Sequence, residues 1–182
     1  MSPTQKQLLF AADALFLDLA ANASTKILLS HFSSTNELVI QHAPISCPLP
    51  QDSRLTGLNA VRSYFDLISV HWERKDLCLD SQNAITHPTK TVTVHGSVGW
   101  TWRLSRREWT EKFTCTLEYD DNLKVVGMVV ETTSPPATCV MRAVDMDSKA
   151  PLAPLRARLP LDMFSSPVSV SVSTGAPTKV NL

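Results

Sequence analysis

The spacing of the apolar residues changes partway along this chain, and that change limits the folds it can adopt. Before the change, apolar residues recur three and four positions apart, from Leu8 to Leu19 and from Val61 to Trp72, the spacing of a helix with one buried face. After it they alternate along 91–104 and 108–119, the period of strands with one buried face. Helices followed by consecutive strands predict an α+β fold, with three N-terminal helices packed on one curved, mostly antiparallel sheet.

Local signals place the boundaries of these elements. Asn22 or Ser24 is expected to close the first helix, Gly57 allows a tight turn into the third, and three prolines predict a loop over 43–53. The dense valines of the last strand favour a central position in the sheet. The predicted elements are a first helix that contains Leu8 to Leu19, helices over 25–32 and 58–72, and strands over 37–42, 76–85, 91–104, 108–119 and 123–133.

The composition changes again after Thr133. Residues 134–182 contain seven of the chain's 12 prolines, too many for a continued helix or sheet. We therefore expect one α+β domain over 1–133 and a Pro-rich C-terminal tail over 134–182. The tail is either disordered or partly docked through the apolar stretch 152–164, and the alternation at 168–172 allows one additional edge strand.

Charge and cysteine spacing exclude several classes of protein. Lys+Arg and Asp+Glu each number 17, so the formal net charge is zero, which argues against nucleic-acid binding and against a polybasic membrane anchor. No apolar run reaches 18 residues, so no membrane-spanning helix is expected. Four scattered cysteines, without a C-x-x-C pair, indicate free thiols in a reducing compartment, so we expect a cytoplasmic protein.

Motifs for metals and nucleotide cofactors are missing as well. The five histidines show no H-x-x-x-H or H-E-x-x-H spacing, and the chain has no G-x-G-x-x-G, Walker loop or G-x-S-x-G. We therefore expect neither a metal nor a cofactor.

Glu111 is the most informative titratable residue. It shares a strand face with the apolar side chains of Trp109 and Phe113. If that face lines a pocket, desolvation raises the pKa of the carboxyl and suits it to acid or base catalysis near neutral pH. The alternative is that this face points outward, or that Glu111 pairs with Arg103 or Arg106.

Two segments carry a resemblance to a known superfamily. In RLTGLNAVRSYF a glycine opens the third helix, and REWTEKFTCTLEYDDNLKVVGMVVET contains an aromatic-x-acid-x-Phe strand, an acidic turn and a final apolar strand. Over about residues 5–133 the chain resembles the nuclear-transport-factor-2-like superfamily, in particular its SnoaL-type branch of small-molecule cyclases, isomerases and dehydratases. The resemblance implies a cone-shaped α+β barrel, a mostly apolar pocket inside it, frequent dimerisation through the exposed sheet and no need for a metal.

The resemblance also implies roles for the other candidate residues. A titratable residue near the end of the first strand often faces the pocket mouth in related enzymes, which makes His42 the expected partner of Glu111 in acid–base catalysis. Tyr64 can donate a hydrogen bond to a carbonyl or enolate oxygen. The expected substrate-pocket residues are Trp100, Trp102, Trp109, Tyr64 and Phe113; for the tryptophans, ordinary packing in the sheet core is the alternative. His95 is expected on the outer face of the sheet.

These features favour a cofactor-independent enzyme. It would isomerise, cyclise or dehydrate a small apolar molecule of polyketide or terpenoid type by acid–base catalysis, as a homodimer, in secondary-metabolite biosynthesis. The rival hypothesis is a non-catalytic dimeric module of the same fold that binds a ligand or a protein. A transport adaptor is a third alternative, and it would expose an apolar patch at the mouth of the cone.

Overall fold

The protein is described here by a computed structural model that covers residues 3–47, 49–86 and 89–133. The expectations for residues 134–182, including the docked stretch and the edge strand, lie outside the described residues. The elements are α1 (Gln5–Ala20), α2 (Thr25–Leu29), β1 (Val39–Pro44), a 3-10 turn (Pro50–Ser53), β2 (Arg54–Thr56), α3 (Leu58–His71), β3 (Trp72–Ile85), β4 (Thr91–Trp102), β5 (Glu108–Tyr119) and β6 (Val125–Thr133).

The strands form one mixed sheet in the order β2-β1-β6-β5-β4-β3. The long strands β3 to β6 follow one another in antiparallel hairpins, and β1 runs parallel to β6. The predicted α+β fold class is therefore confirmed. The last strand lies inside the sheet between β1 and β5, as its valines predict.

Helices α1 and α3 supply the apolar layer on one face of this sheet. A capping box between Thr4 and Gln7 starts α1, in which each side chain accepts a hydrogen bond from the backbone N–H of the other residue. The ring of Phe16 in α1 stacks on that of Phe113 in β5, with centroids 6.0 Å apart. The buried side chains of the two helices are Leu8, Ala12, Leu15, Phe16 and Leu19 from α1 and Val61, Tyr64, Phe65 and Ile68 from α3.

The predicted boundary between α3 and β3 is wrong. Trp72 is already extended (φ −126°, ψ 153°) and pairs with Trp102 as the first residue of β3, whereas the sequence pattern placed it in the helix and began the strand at residue 76. The pairing shifts between Lys75 and Cys78, where Asp76 has a positive φ of 49°. Such a bulge interrupts the alternation of side chains by which a strand is recognised.

Two smaller predictions also differ from the structure. Helix α2 ends at Leu29 rather than at residue 32. The expected loop over 43–53 contains the end of β1 and the 3-10 turn, because residues 43 and 44 continue the parallel pairing with β6. Of the helices in the described part of the chain, none has both the length and the apolar character needed to cross a bilayer.

Candidate functional site

A cavity of about 60 Å³ lies between the two long helices and the sheet. Its wall is mostly apolar, with a few polar side chains that enter from β1, α3, β3, β5 and β6. The lining residues are Phe16, Leu19, His42, Tyr64, Phe65, Ile68, Arg74, Leu77, Val98, Trp100, Glu111, Phe113, Cys115, Met128, Val130 and Thr132. A mostly apolar concave space with a few polar groups is the usual form of a small-molecule site.

His42 reaches the cavity from β1. It alternates with Ile40, and both side chains are buried against the helices, with 3% and 1% of their surface exposed. The Nδ1 atom lies 2.8 Å from the hydroxyl oxygen of Tyr64, whereas Nε2 is buried without a hydrogen-bond partner among the described residues. Burial lowers the pKa of His42 to about 4, so the imidazole is neutral at neutral pH.

Glu111 reaches the same cavity from the middle of β5. It is fully buried, in the alternating row of inward-facing residues that the sequence predicts, between Trp109 and Phe113. The indole N–H of Trp100, on the neighbouring strand β4, donates a hydrogen bond of 2.8 Å to its Oε2 atom. Because an indole nitrogen only donates, this oxygen of Glu111 is an acceptor in the described state.

His42 and Glu111 line one cavity but stand at different places on the sheet. His42 is in register with Val130 of β6, and Val130 is in register with Cys115 of β5. Glu111 is four residues before Cys115 on that strand, so two strand spacings and four residues separate the two backbones, about 16 Å in a flat sheet. Both side chains nevertheless line the same cavity, which they enter from different strands.

Arg74 is a further polar residue of the cavity wall, which the sequence analysis missed. Its Nε donates to Oδ1 of Asn22 over 3.3 Å. Burial lowers the pKa of its guanidinium, and the nearby Tyr64 opposes this effect. The sequence pattern assigned residues 73–75 to no strand, because the bulge after Lys75 hides the start of β3.

The expected pocket residues separate into two groups. Tyr64, Phe113 and Trp100 line the cavity, whereas Trp102 and Trp109 are not among its lining residues in the described part of the chain. Trp102 packs edge-on against Trp72, with ring centroids 5.0 Å apart. Of the three tryptophans expected in the wall, only Trp100 is among the described lining residues, and α1, which packs mainly on β3, contributes Phe16 and Leu19.

The remaining titratable candidates lie away from the cavity. His95 is exposed, as expected, and its Nδ1 lies 3.0 Å from the hydroxyl of Thr114. His31 Nε2 lies within hydrogen-bond distance of Oδ2 of Asp18, at 2.6 Å. Within residues 3–47, 49–86 and 89–133, no three His, Cys, Asp or Glu residues are grouped so that they could hold a metal ion.

Comparisons with known proteins identify the fold. No protein-family model and no curated protein matches the sequence, but several solved structures match its architecture. AusH from Aspergillus nidulans is similar over 78% of this chain and 94% of its own, with a TM-score of 0.59 and 16% identity.

Two further structures share the fold. SalBIII, described as an epoxide hydrolase/cyclase-like enzyme in pyran ring formation in the polyether salinomycin, is similar over 70% of this chain and 92% of its own (TM-score 0.58, 15% identity). RV0760c from Mycobacterium tuberculosis, solved with estradiol-17beta-hemisuccinate, is similar over 70% and 93% (TM-score 0.56, 12% identity). The chain therefore shares the fold of these three structures, which agrees with the fold that the sequence resemblance implies.

Proposed function

We propose that this protein is a cofactor-independent enzyme that isomerises, cyclises or dehydrates a small apolar molecule by proton transfer. One observation carries this proposal: His42 and Glu111, both buried, line a single apolar cavity from two different strands. Buried polar groups are costly unless they are satisfied or used. Two titratable side chains in one apolar cavity are therefore candidates for catalysis.

The environments of the two side chains favour different roles. The Glu111 carboxylate, which accepts the Trp100 hydrogen bond, acts as the base that removes a proton from a substrate carbon. His42 is neutral, because burial lowers its pKa to about 4. In the tautomer with the proton on Nε2, Nδ1 accepts from the Tyr64 hydroxyl 2.8 Å away, and Nε2–H donates a hydrogen bond to the substrate oxygen on which charge develops. A neutral imidazole is a suitable donor for that purpose.

The placement of these groups fits a substrate that spans the cavity. The proton leaves the substrate beside Glu111 on β5, and the oxygen is stabilised beside His42 on β1. The register partners Val130 and Cys115 connect these two strands across the sheet. Return of the proton from Glu111 to another atom completes an isomerisation, and its delivery to a leaving hydroxyl completes a dehydration. The similar structures favour this general chemistry, since SalBIII is described as hydrolase/cyclase-like and RV0760c was solved with a steroid-derived compound.

The cavity must open before it admits a molecule of polyketide or terpenoid size. Its 60 Å³ hold only about four water molecules. A surface groove of about 440 Å³ lies behind the wall formed by Phe16 and Leu77, which line both spaces. Movement of these two side chains, from α1 and β3, would join the groove to the cavity and provide a route for the substrate.

Ligand capture followed by turnover tests this proposal. The purified protein is incubated with apolar extracts of producing cells, and bound molecules are identified by native mass spectrometry and then assayed as substrates. Conversion of a captured molecule without an added cofactor is the expected result. Capture without conversion would contradict the proposed enzymatic activity and support the rival hypothesis of a binding module.

A further inference from the structure

A second cavity, of about 80 Å³, lies beside the first. Phe65, Ile68 and Arg74 line both spaces and form the wall between them. The second cavity is more polar than the first. Its full lining is Asn22, Ala23, Thr25, Leu28, Phe65, Ile68, Ser69, Trp72, Arg74 and Arg103.

The charge of this second cavity is one-sided. Arg74 and Arg103 contribute two guanidinium groups, and no aspartate or glutamate is among its described lining residues. Neither arginine forms an ion pair within the part of the chain that the structure describes. Guanidinium groups without a carboxylate partner are the groups with which proteins bind oxyanions.

The hydrogen bonds of the two arginines hold their guanidinium groups in place and leave the terminal N–H donors available. Arg74 Nε donates to Asn22 Oδ1. Arg103 Nε donates to the carbonyl oxygens of Ser69 and Trp72, which neutralises the negative end of α3 near the cavity. Among the described residues no bond engages the terminal nitrogens of either arginine.

Trp72 provides an independent observation. The residue is 6% exposed and lines the second cavity, and its Nε1–H is buried without an acceptor among the described residues. A buried donor without an acceptor costs free energy. An oxyanion in the second cavity would supply that acceptor.

From these contacts we infer that the second cavity holds the carboxylate of an apolar acid whose body lies in the first cavity. Arg74, between the two spaces, contacts the carboxylate, and Arg103 and the indole N–H of Trp72 support it. This inference rests on the proposed function and narrows its substrate class to apolar carboxylic acids. Arg74 is then the residue that makes the site prefer a carboxylic acid to its neutral analogue.

A matched pair of ligands tests the inference. Binding of 2-naphthoate and of the neutral 2-naphthamide is measured by titration at constant ionic strength. The wild-type protein is expected to prefer the carboxylate by about tenfold or more, the effect of a charge-assisted hydrogen bond. Arg74→Met should remove this preference and change the Kd for the amide less than about twofold. Trp72→Phe should weaken carboxylate binding by about threefold.

Two further variants distinguish the loss of the Arg74 charge from damage to the structure of the site. Arg62→Met removes an exposed arginine of α3 that is not among the described lining residues of either cavity, so it should keep the preference. Arg74→Lys should keep part of it, which also shows that the site folds without the guanidinium.

The outcomes distinguish the two proposals. Equal binding of acid and amide to the wild type would overturn the inference and leave the proposed apolar site intact. A preference that survives Arg74→Met would also overturn the inference. Failure of both ligands to bind would contradict the inference and the proposed function together.

Discussion

The indole N–H of Trp100 donates to the Oε2 atom of Glu111 over 2.8 Å, with both side chains buried. The bond runs between neighbouring strands, since Trp100 lies on β4 and Glu111 on β5. It holds one oxygen of the buried carboxylate toward β4. The hairpin of β4 and β5 therefore helps to position the proposed base.

Replacing Trp100 with phenylalanine tests this bond. Trp100→Phe removes one hydrogen-bond donor from a buried carboxylate, so we expect the free energy of unfolding to fall by about 1–3 kcal/mol. Trp109→Phe is the matched control, because the Trp109 indole N–H is buried without a partner among the described residues and its removal breaks no such bond. Chemical denaturation measures both variants. An equal loss in the two variants would mean that packing, not the hydrogen bond, accounts for the effect.

Burial of His42 makes stability depend on pH. The pKa of this histidine is lowered from 6.5 to about 4 in the folded protein, so the unfolded chain binds more protons between these values. The free energy of unfolding should therefore rise as the pH increases from about 4 to 6.5, by roughly 3 kcal/mol for this group. Denaturant titrations at several pH values measure the slope.

The matched variants assign that slope to one residue. His42→Gln should flatten the rise in stability between pH 4 and 6.5. His95→Gln, a change at an exposed histidine on the outer face of the sheet, should leave it unchanged. An unaltered slope in His42→Gln would show that other groups cause the acid sensitivity.

Gly96 supports the cavity wall from β4. A Cβ atom at this position would collide with the carbonyl oxygen of Cys78 and lie 2.9 Å from Cζ of Phe113, a cavity residue. Gly96→Ala should therefore cost about 1–3 kcal/mol of stability, since the packed strands cannot accommodate it without moving. At Gly99 the nearest atom would be 3.2 Å away, so Gly99→Ala should cost less. Thermal melts that rank the two variants in the opposite order would refute this account of the packing around Gly96.

We expect the homodimer interface on the outer face of the sheet. The side chains on this face of β5 are polar and rich in threonine, and Lys112, Thr110 and Glu118 are exposed. We predict a homodimer in light scattering, and a Thr110→Arg/Glu118→Arg double variant should weaken it by like-charge repulsion across the interface. A wild-type monomer at high micromolar concentration would contradict the prediction.

The apolar periodicity of the sequence predicted the position of Glu111 and missed that of Arg74. The alternation along β5 placed Glu111 between Trp109 and Phe113 on the inward face, where the structure has it. Arg74 could not be found in the same way, because the bulge at Lys75 and Cys78 breaks the alternation of β3. Pattern alone indicates which face a side chain is on, and the pocket wall depends on how the helices cover that face.

The tryptophans show this limit clearly. Trp100 and Trp109 are register partners, yet of these two only Trp100 is among the described residues that line the cavity. Phe16 of α1, which stacks on Phe113, lines the cavity together with Trp100. That packing is a tertiary contact between distant parts of the chain, which local spacing does not encode.

Proton exchange catalysed by Glu111 is the most direct test of the proposed function. The protein is incubated in D₂O with a panel of apolar cyclic ketones, and deuterium at carbon is measured by mass spectrometry. The wild type should catalyse incorporation into at least one ketone. Glu111→Gln should lose this activity while its melting temperature stays within a few degrees, and Glu118→Gln, a change at an exposed glutamate of the same strand, should retain it. Full exchange by a folded Glu111→Gln variant would contradict the assignment of Glu111 as the base.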